Sequence, residues 1–334
     1  MSGMKPARRW PAVLAALALV ALTACSKHAP SALRPAGSEA RRLAGIWWLM
    51  FGMAAVVYVI VAGFILVASF RGRGTEAGKP SRVSDGRFVW VGGVIAPVLI
   101  LAVLAVVTVN ATAELRQPES NALHIEVQGA DWWWAVTYPA EKIVTADEIH
   151  VPVGRPLEIG LTSRDVIHSF WVPQLAGKVD LVPGQRNILR VTAEKAGVYQ
   201  GECAEFCGLE HSRMRFLLVA EDTGTFGRWV TQHQAPRGEP ASEEAARGRA
   251  VFEAQSCAGC HAIRGTSAVG TLGPDLSDIG ARRTLGAGTV PNDTAALAGW
   301  ISNSQTIKPG NLMPPIALEA DELTAVLAYL QSLR

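Results

Sequence analysis

The chain has 334 residues, of which 49% are apolar and 18% charged, and its formal net charge is +2. This length allows two domains and additional membrane segments. The composition argues against a disordered or collagen-like chain, and the small net charge leaves no extended basic surface for nucleic acid.

Residues 1–24 have the pattern of a secretory signal peptide. Positive side chains precede a short apolar stretch that ends in Leu-Thr-Ala-Cys at Cys25. This ending resembles the lipobox of bacterial lipoproteins, which implies that Cys25 becomes the lipidated first residue of the mature chain. An ordinary signal peptide with an incidental cysteine is the alternative.

Two long apolar runs without charges follow, over 46–70 and 89–109. Each exceeds the roughly 20 residues that cross the hydrocarbon, so we predict a transmembrane helix hairpin over 43–114. Buried core helices are the alternative. The loop over 71–87 is rich in Arg and Lys, which predicts a cytoplasmic position. The rest of the chain is then expected on the outer, periplasmic face of the bacterial plasma membrane.

The middle region, 115–233, is predicted to be an all-β domain. Apolar and polar residues alternate over 123–127 and 157–161, and turn signals such as Pro183-Gly184 separate the short apolar runs. Short strands at this spacing are typical of a β-sandwich or a Greek-key barrel.

Soft metal ligands cluster in this region. One short segment contains two thiols, an imidazole and a thioether, namely Cys203, Cys207, His211 and Met214, and His168 lies upstream. Thiolate, thioether and imidazole ligands favour copper over magnesium or calcium. Zinc would accept the cysteines and histidines but has no use for Met214. A disulfide between Cys203 and Cys207 is the other alternative.

The block Cys-x-Glu-x-Cys-Gly-x-x-His-x-x-Met, with Asp-Val-x-His-Ser upstream, resembles the CuA site of cytochrome c oxidase subunit II. The resemblance covers roughly residues 40–235 and implies a cupredoxin-like Greek-key barrel after a two-helix hairpin. It implies a binuclear copper centre whose ligands are His168, Cys203, the backbone carbonyl of Glu205, Cys207, His211 and Met214. The Glu205 carboxylate would bind magnesium at the contact with the catalytic subunit.

Two tryptophans bear on this resemblance. Trp132, in Asp131-Trp132-Trp133-Trp134, matches the tryptophan through which electrons enter the copper site of the family. Packing in the barrel or anchoring at the membrane boundary is the alternative role. Trp90 stands where subunit II proteins often carry a glutamate associated with proton entry, which puts such a role for this chain in doubt.

The carboxyl-terminal region begins after a Pro/Gly-rich linker at 234–241, and 242–334 is predicted to be a small all-α domain. It contains Cys257-Ala258-Gly259-Cys260-His261, the attachment signature of c-type haem. The two thiols would bind the haem covalently, and His261 would reach the iron. A redox dithiol or half of a zinc site is the alternative.

This region also resembles the class I cytochromes c. The resemblance implies that Met313 is the second axial ligand, although a lone methionine is often only core filler. It also implies that the carbonyl of Pro274 fixes the His261 ring. All five cysteines then have roles as lipid anchor, copper ligands or haem attachment sites, and none remains for a disulfide.

The order of the parts resembles subunit II of a caa3-type cytochrome c oxidase, a multi-domain membrane protein. The expected path runs from a donor such as cytochrome c or the bc1 complex to haem c, to CuA, and to the catalytic subunit I. Oxygen reduction to water, coupled to proton translocation, would occur in that partner.

Other functions are less consistent with the sequence. A quinol oxidase subunit would lack the copper ligands, and a nitrous-oxide reductase would need a second large metal domain. A copper delivery protein would not need haem. A membrane-tethered haem c/CuA electron-transfer protein without an oxidase partner stays open.

Overall fold

The structure is a computed structural model, and it describes residues 30–71, 85–115, 120–237, 239–240 and 242–334. The predicted signal peptide, the lipid anchor at Cys25 and most of the basic loop lie outside the described residues.

Two long apolar helical segments come first. Helix α1 is Ser38–Arg71, and the second segment consists of α2 (Asp85–Trp90), a π-helical turn (Val91–Ile95) and α3 (Ala96–Leu115). Their most apolar windows have mean hydropathies of 2.6 and 2.7, and none of either window is buried in the described chain. The alternative of buried core helices is therefore wrong for these segments. The π-helical turn precedes Pro97. Proline has no backbone N–H, so it interrupts the regular i→i−4 hydrogen bonds of the helix at this point.

The amino-terminal end of α1 is attached to the β domain. Gly37 forms a bridge with Ala193, and Arg41 makes a two-pronged ion pair with Glu194. Ala40 and Ala44, one turn apart, are buried on the same face of the helix. A Cβ atom at Gly37 would lie 2.8 Å from the Leu175 carbonyl oxygen, so only glycine allows this close approach.

The β domain is a sandwich of two five-stranded sheets. Its strands are β1 Leu123–Ala130, β2 Trp133–Tyr138, β3 Ile143–Ala146, β4 Glu148–Pro152, β5 Pro156–Ser163, β6 His168–Trp171, β7 Val179–Leu181, β8 Asn187–Thr192, β9 Gly197–Cys203 and β10 Arg215–Glu221. The strand orders are β3-β2-β1-β5-β8 and β4-β10-β9-β6-β7. Pairs β1/β5 and β4/β10 are parallel, and the other pairs are antiparallel. The cupredoxin-like prediction is confirmed.

Aromatic packing fills the space between the two sheets. Trp134 has no exposed surface, and its ring lies 5.8 Å from that of Phe170 and 5.2 Å from that of Phe216. Alternate residues of β2 are buried, as expected for a strand with one face on a core. Trp134 thus has the packing role that the sequence left open for the tryptophan run, whereas Trp132 lies at the edge of this core.

Helix α4, Thr223–Gln234, follows β10, and a small helical domain completes the fold. Its elements are α5 Glu243–Ala254, α6 Cys257–Cys260, α7 Thr294–Asn303, α8 Ala320–Ser332, and the short strands β11 Thr284–Leu285 and β12 Val290–Pro291. The Ser242 side chain caps α5 by accepting from the Ala245 amide at 3.1 Å. Helices α5 and α8 cross at Gly248, where a Cβ would lie 1.9 Å from the Ala325 carbonyl oxygen. The prediction of a small helical domain is confirmed, and the structure adds one two-stranded sheet formed by β11 and β12.

The β domain and the helical domain contact each other directly through a buried polar cluster. Asp278 and Arg282 form an ion pair whose side chains are only 7% and 4% exposed. The Thr145 hydroxyl donates to Asp278 Oδ2 at 2.7 Å, and His233 Nε2 lies 3.4 Å from the same oxygen. Burial opposes ionisation of Asp278, but the charge of Arg282 lowers the pKa of this carboxyl well below its usual range. The two halves are therefore held by a specific interface as well as by the connecting chain.

Candidate functional site

A hairpin connection between two paired strands carries most of the soft ligands. Strand β9 ends at Cys203, and β10 begins just after Met214, with a 3₁₀ turn at His211–Arg213 between them. The amide of Cys203 donates to the carbonyl of Met214 at 2.9 Å, which closes the loop at its base. The sheet therefore fixes both ends of the motif.

The loop gathers the predicted copper ligands around the two thiols. Cys203 Sγ lies 3.7 Å from Cys207 Sγ, 4.0 Å from His168 Nδ1 and 3.2 Å from the Glu205 carbonyl oxygen. Cys207 Sγ lies 3.6 Å from His211 Nδ1 and 3.9 Å from Met214 Sδ. Both cysteines are free thiols, so the disulfide alternative is wrong in this structure. All six predicted donor atoms lie in one cluster.

Hydrogen bonding makes one of the thiols unusually acidic. The hydrogen bond with Cys207 lowers the pKa of Cys203 well below the usual range of a thiol, whereas the same pairing raises the pKa of Cys207. Burial opposes the charged form of His168, but hydrogen bonds with Cys203 and Asp165 raise its pKa above the ordinary value. Asp165 Oδ1 binds His168 Nε2 at 2.7 Å, which leaves Nδ1 facing the thiols.

The donor set has the chemistry of a copper site. Met214 is completely buried with its sulfur beside a thiol, and such a thioether suits copper and not zinc. His168, Cys203 and Cys207 hold their ligand atoms within 4.8 Å of one another. Copper therefore fits the residues that are present, and the Asp165 bond would orient one of the imidazoles.

The Glu205 carboxylate has a different environment from the Glu205 carbonyl. Its Oε2 accepts from Lys178 Nζ at 2.9 Å, and Lys178 also lies 3.5 Å from Asp180. The carboxylate is about half exposed, with 45% of the side chain accessible. It is thus open to a partner, and Lys178 neutralises it within this chain.

Trp132 lies between the helical domain and the loop that carries the predicted copper ligands, residues 203–214, which we call the copper loop. Its indole Nε1 donates to the Cys207 carbonyl at 2.9 Å. Its own carbonyl accepts from Lys308 Nζ of the helical domain at 2.8 Å. The ring is partly buried against the sandwich core. This tryptophan is therefore in contact with both halves of the chain.

The predicted haem attachment segment has the expected local geometry. The single turn α6 places Cys257 and Cys260 one turn apart, and His261 follows at its end. His261 Nδ1 donates to the Pro274 carbonyl at 2.8 Å, which leaves Nε2 as the available ligand atom. Burial lowers the pKa of His261, so the imidazole is neutral, as an iron ligand requires. A Cβ at Gly273 would lie 2.5 Å from the His261 ring. A c-type haem therefore fits this donor set.

Met313 lies in a loop held by hydrogen bonds to its backbone. Its amide donates to Asn311 Oδ1 at 2.9 Å, and its carbonyl accepts from Ser304 Oγ at 3.0 Å and from Gln305 Nε2 at 3.1 Å. The side chain is half-buried. The backbone of the loop that carries Met313 is thus fixed by these hydrogen bonds.

Three functional contacts could not be found from the sequence motifs. They are the orienting bond from Asp165, the bonds from Lys308 across the domain interface, and the Arg164 bond to the Thr271 carbonyl at 2.9 Å. Asp165 lies three residues before His168, which was a weak signal. The Lys308 bond to the Trp132 carbonyl and the Arg164 bond to the Thr271 carbonyl each span more than a hundred positions and leave no trace in the sequence.

Comparison with known proteins gives two family matches. Residues 140–221 match the family described as cytochrome C oxidase subunit II, periplasmic domain, and residues 245–334 match the cytochrome c family. These domains imply copper and haem c as cofactors. With the two apolar helices, they indicate a membrane-anchored protein whose β domain lies outside the membrane.

Curated relatives match over most of the chain. Cytochrome c oxidase subunit 2 of Alkalihalophilus pseudofirmus is 34% identical over 94% of this chain and 94% of the relative. The subunit 2 of Bacillus subtilis is 28% identical over 96% and 97%. Quinol oxidase subunit 2 of Bacillus spizizenii is 31% identical but matches only 67% of this chain and 73% of its own length.

A solved structure is also similar. It is the periplasmic domain of cytochrome oxidase subunit II of Bradyrhizobium japonicum, with 28% identity, a TM-score of 0.34, and coverage of 35% of this chain and 97% of that chain. From the full-length match to its curated relatives and the two family matches, the chain belongs to the cytochrome c oxidase subunit 2 family, the subunit II of haem-copper terminal oxidases.

Proposed function

We propose that this subunit accepts single electrons at a covalently bound haem c and passes them through a binuclear copper centre to the catalytic subunit. The observation that carries this proposal is the position of Trp132. It is hydrogen-bonded to the carbonyl of a predicted copper ligand, Cys207, and to Lys308 in the loop that leads to Met313. The donor and acceptor halves therefore meet at one residue.

The two thiolates are proposed to bridge two copper ions. His168 and His211 would each bind one copper, and Met214 and the Glu205 carbonyl would supply the weaker ligands. A copper centre held by these residues would supply one-electron transfer, and the strand pairing of this chain would keep the ligand residues in position. The loop between β9 and β10 supports this role, since the strand pairing holds Cys203 and Met214 next to each other at the two ends of the loop.

On the haem side, Cys257 and Cys260 are proposed to attach the porphyrin, with His261 and Met313 as axial ligands. The Pro274 carbonyl orients the His261 ring through the bond to Nδ1. Histidine and methionine ligation favours a comparatively high potential. Such a potential suits a donor to copper.

The carboxylate of Glu205 is proposed to contribute to a magnesium site shared with the catalytic subunit. It is half-exposed and is paired with Lys178 in this chain. Magnesium prefers oxygen ligands, and one carboxylate is a usual protein contribution. The partner would supply the remaining protein ligands, and Lys178 would have to give way to the metal.

The test is to purify the chain from its native membrane in mild detergent and to record a reduced-minus-oxidised spectrum with an electron paramagnetic resonance spectrum. We expect an a-type or other catalytic haem to co-purify with haem c. We also expect hyperfine lines from one electron shared between two coppers. Haem c and copper without a catalytic haem would instead support the tethered electron carrier.

Two variants identify the ligands in the same preparation. Cys203→Ser should abolish the shared-electron signal and leave the haem c spectrum intact. Ser212→Ala is the matched control, because Ser212 is an exposed residue of the same loop. A shared-electron signal that survives Cys203→Ser would contradict the ligand assignment.

A further inference from the structure

Lys308 is an unusual residue of the domain interface because its whole side chain is buried. Only 2% of the residue is exposed, although lysine is rarely buried to this extent without a charged partner. Its Nζ donates to the carbonyls of Trp132 at 2.8 Å, Arg213 at 2.9 Å and Gly286 at 2.9 Å. An ammonium group has three donors, so all of them are used.

The three acceptors belong to both halves of the chain. Gly286 lies in the helical domain, whereas Trp132 lies beside the copper loop of the β domain and Arg213 lies within that loop. Arg213 lies between the predicted ligands His211 and Met214, and its side chain donates back to the Ile307 carbonyl at 3.2 Å. Lys308 therefore joins the two domains at the copper loop itself.

The backbone of Lys308 is linked by hydrogen bonds to the loop that carries Met313, the predicted haem ligand. Its amide donates to the Ser304 carbonyl at 2.8 Å, and its carbonyl accepts from Asn311 Nδ2 at 2.7 Å. Ser304 and Asn311 also hold the backbone of Met313. A short hydrogen-bonded loop thus links the lysine to the methionine.

The surrounding contacts leave little freedom in this arrangement. A Cβ at Gly310 would lie 2.7 Å from Leu209 of the copper loop and 3.9 Å from the Trp132 ring. The Arg215 amide donates to the Ala287 carbonyl at 3.0 Å beside the Gly286 contact. Burial lowers the pKa of Lys308 to about 8, which reflects how completely water is excluded.

We propose that Lys308 is the positioning residue that holds the Met313 loop against Trp132 and the copper loop, and so fixes the path of electron transfer between haem c and copper. The step moves one electron from ferrous haem c to the oxidised copper centre, and no bond is formed or broken. This inference rests on the proposed function. Lys308 itself carries no electron, because its role is to set the distance and contact between the two sites.

The test uses the full chain in detergent with Lys308→Met, which keeps a long apolar side chain but has no donors. The first readout is amide hydrogen exchange in copper-free protein. Exchange around Arg215 and over 305–313 should rise by about tenfold or more, because bonds to a charged donor are lost. The second readout is the rate of copper reduction after rapid reduction of haem c, which should fall by about tenfold or more as the contact loosens.

Two further variants make the result interpretable. Lys308→Gln retains two N–H donors and should lie between the wild type and Lys308→Met in both readouts. If Lys308→Met does not accumulate as folded protein, the glutamine variant alone decides. Lys195→Met is the control, because Lys195 is an exposed lysine of the β domain, and it should change neither readout.

Wild-type exchange and wild-type electron transfer in both Lys308 variants would overturn the inference. Slower transfer with unchanged exchange would also overturn it, because Lys308 would then act without positioning the loop. Failure of the proposed function looks different. In that case the wild-type chain itself would show no transfer from haem c to copper, while the exchange measurement would still report whether Lys308 holds the interface.

Discussion

The two cofactor sites of this chain are built in opposite ways. The copper ligands come mostly from one loop whose ends are fixed by the antiparallel pair β9 and β10, and only His168 is distant in sequence. The haem ligands come from a single helical turn and from a separate loop behind α7. The first site is thus organised mainly by one pair of strands, whereas the second combines residues from separate elements of the helical domain. A local motif contains every predicted copper ligand except His168, and another contains every predicted haem ligand except Met313.

The largest expected effect comes from removing the haem attachment site, which tests the contrast between the two cofactor sites directly. The double variant Cys257→Ser/Cys260→Ser should lose covalent haem entirely and with it the cooperative unfolding of the helical domain, because a domain of this size has a small core. The corresponding Cys203→Ser/Cys207→Ser variant should lose copper. The free energy of unfolding of its β domain should stay within about 1–2 kcal/mol of the wild-type value, since the aromatic core between the sheets remains. Haem staining and scanning calorimetry provide the measurements. An equal loss of cooperative unfolding in both variants would contradict the contrast.

A second change tests how far the helical domain depends on the β domain. Arg282→Met removes one partner of a buried ion pair and should destabilise the docked helical domain by about 3–5 kcal/mol in urea unfolding, because Asp278 is left charged and buried. Arg283→Met is the control, because Arg283 is the exposed neighbour of Arg282. Its free energy of unfolding should stay within about 0.5 kcal/mol of the wild-type value. Similar unfolding curves for the two variants would show that the polar cluster does not hold the domains together.

A third change sharpens the description of the copper side. Asp165→Asn replaces the carboxylate that accepts from His168 Nε2 and should weaken copper binding by about 10–100-fold, the usual effect of losing such an orienting bond. Competition with a copper chelator measures the affinity. Circular dichroism should be unchanged, because Asp165 is on a surface loop. Copper affinity equal to that of the wild type would indicate that the sheet alone orients the imidazole.

The smallest expected effect concerns the weakest copper ligand. Met214→Leu keeps the volume of a fully buried side chain, so the free energy of unfolding should change by less than about 1.5 kcal/mol. The electron paramagnetic resonance spectrum of the copper centre should nevertheless shift, since a thioether is lost. An unchanged spectrum would remove Met214 from the ligand set.

The sequence predicted the parts of the structure that depend on local patterns. Alternating residues around Leu123 predicted strands, and the motif from Cys203 to Met214 predicted which side chains meet. The contacts of Lys308 and the bridge at Gly37 could not be predicted, because both depend on backbone carbonyls and amides, which every residue has. The pairing of Asp278 with Arg282 at i,i+4 was visible in principle, but its burial between two domains was not.

The attachment of α1 to the β domain has a mechanical consequence. A 34-residue helix is about 51 Å long, whereas the hydrocarbon layer is about 30 Å thick. The apolar run begins at residue 46, so about 12 Å of helix, residues 38–45, precedes it, and this first part is fastened to the sandwich through Gly37 and the Arg41–Glu194 pair. Because the helix is continuous and its first turns are bonded to the β domain, it connects that domain to the membrane without a flexible linker. The height of the metal-binding loop above the lipid surface is then set by helix length, and any electron acceptor in the complex must be presented at that level.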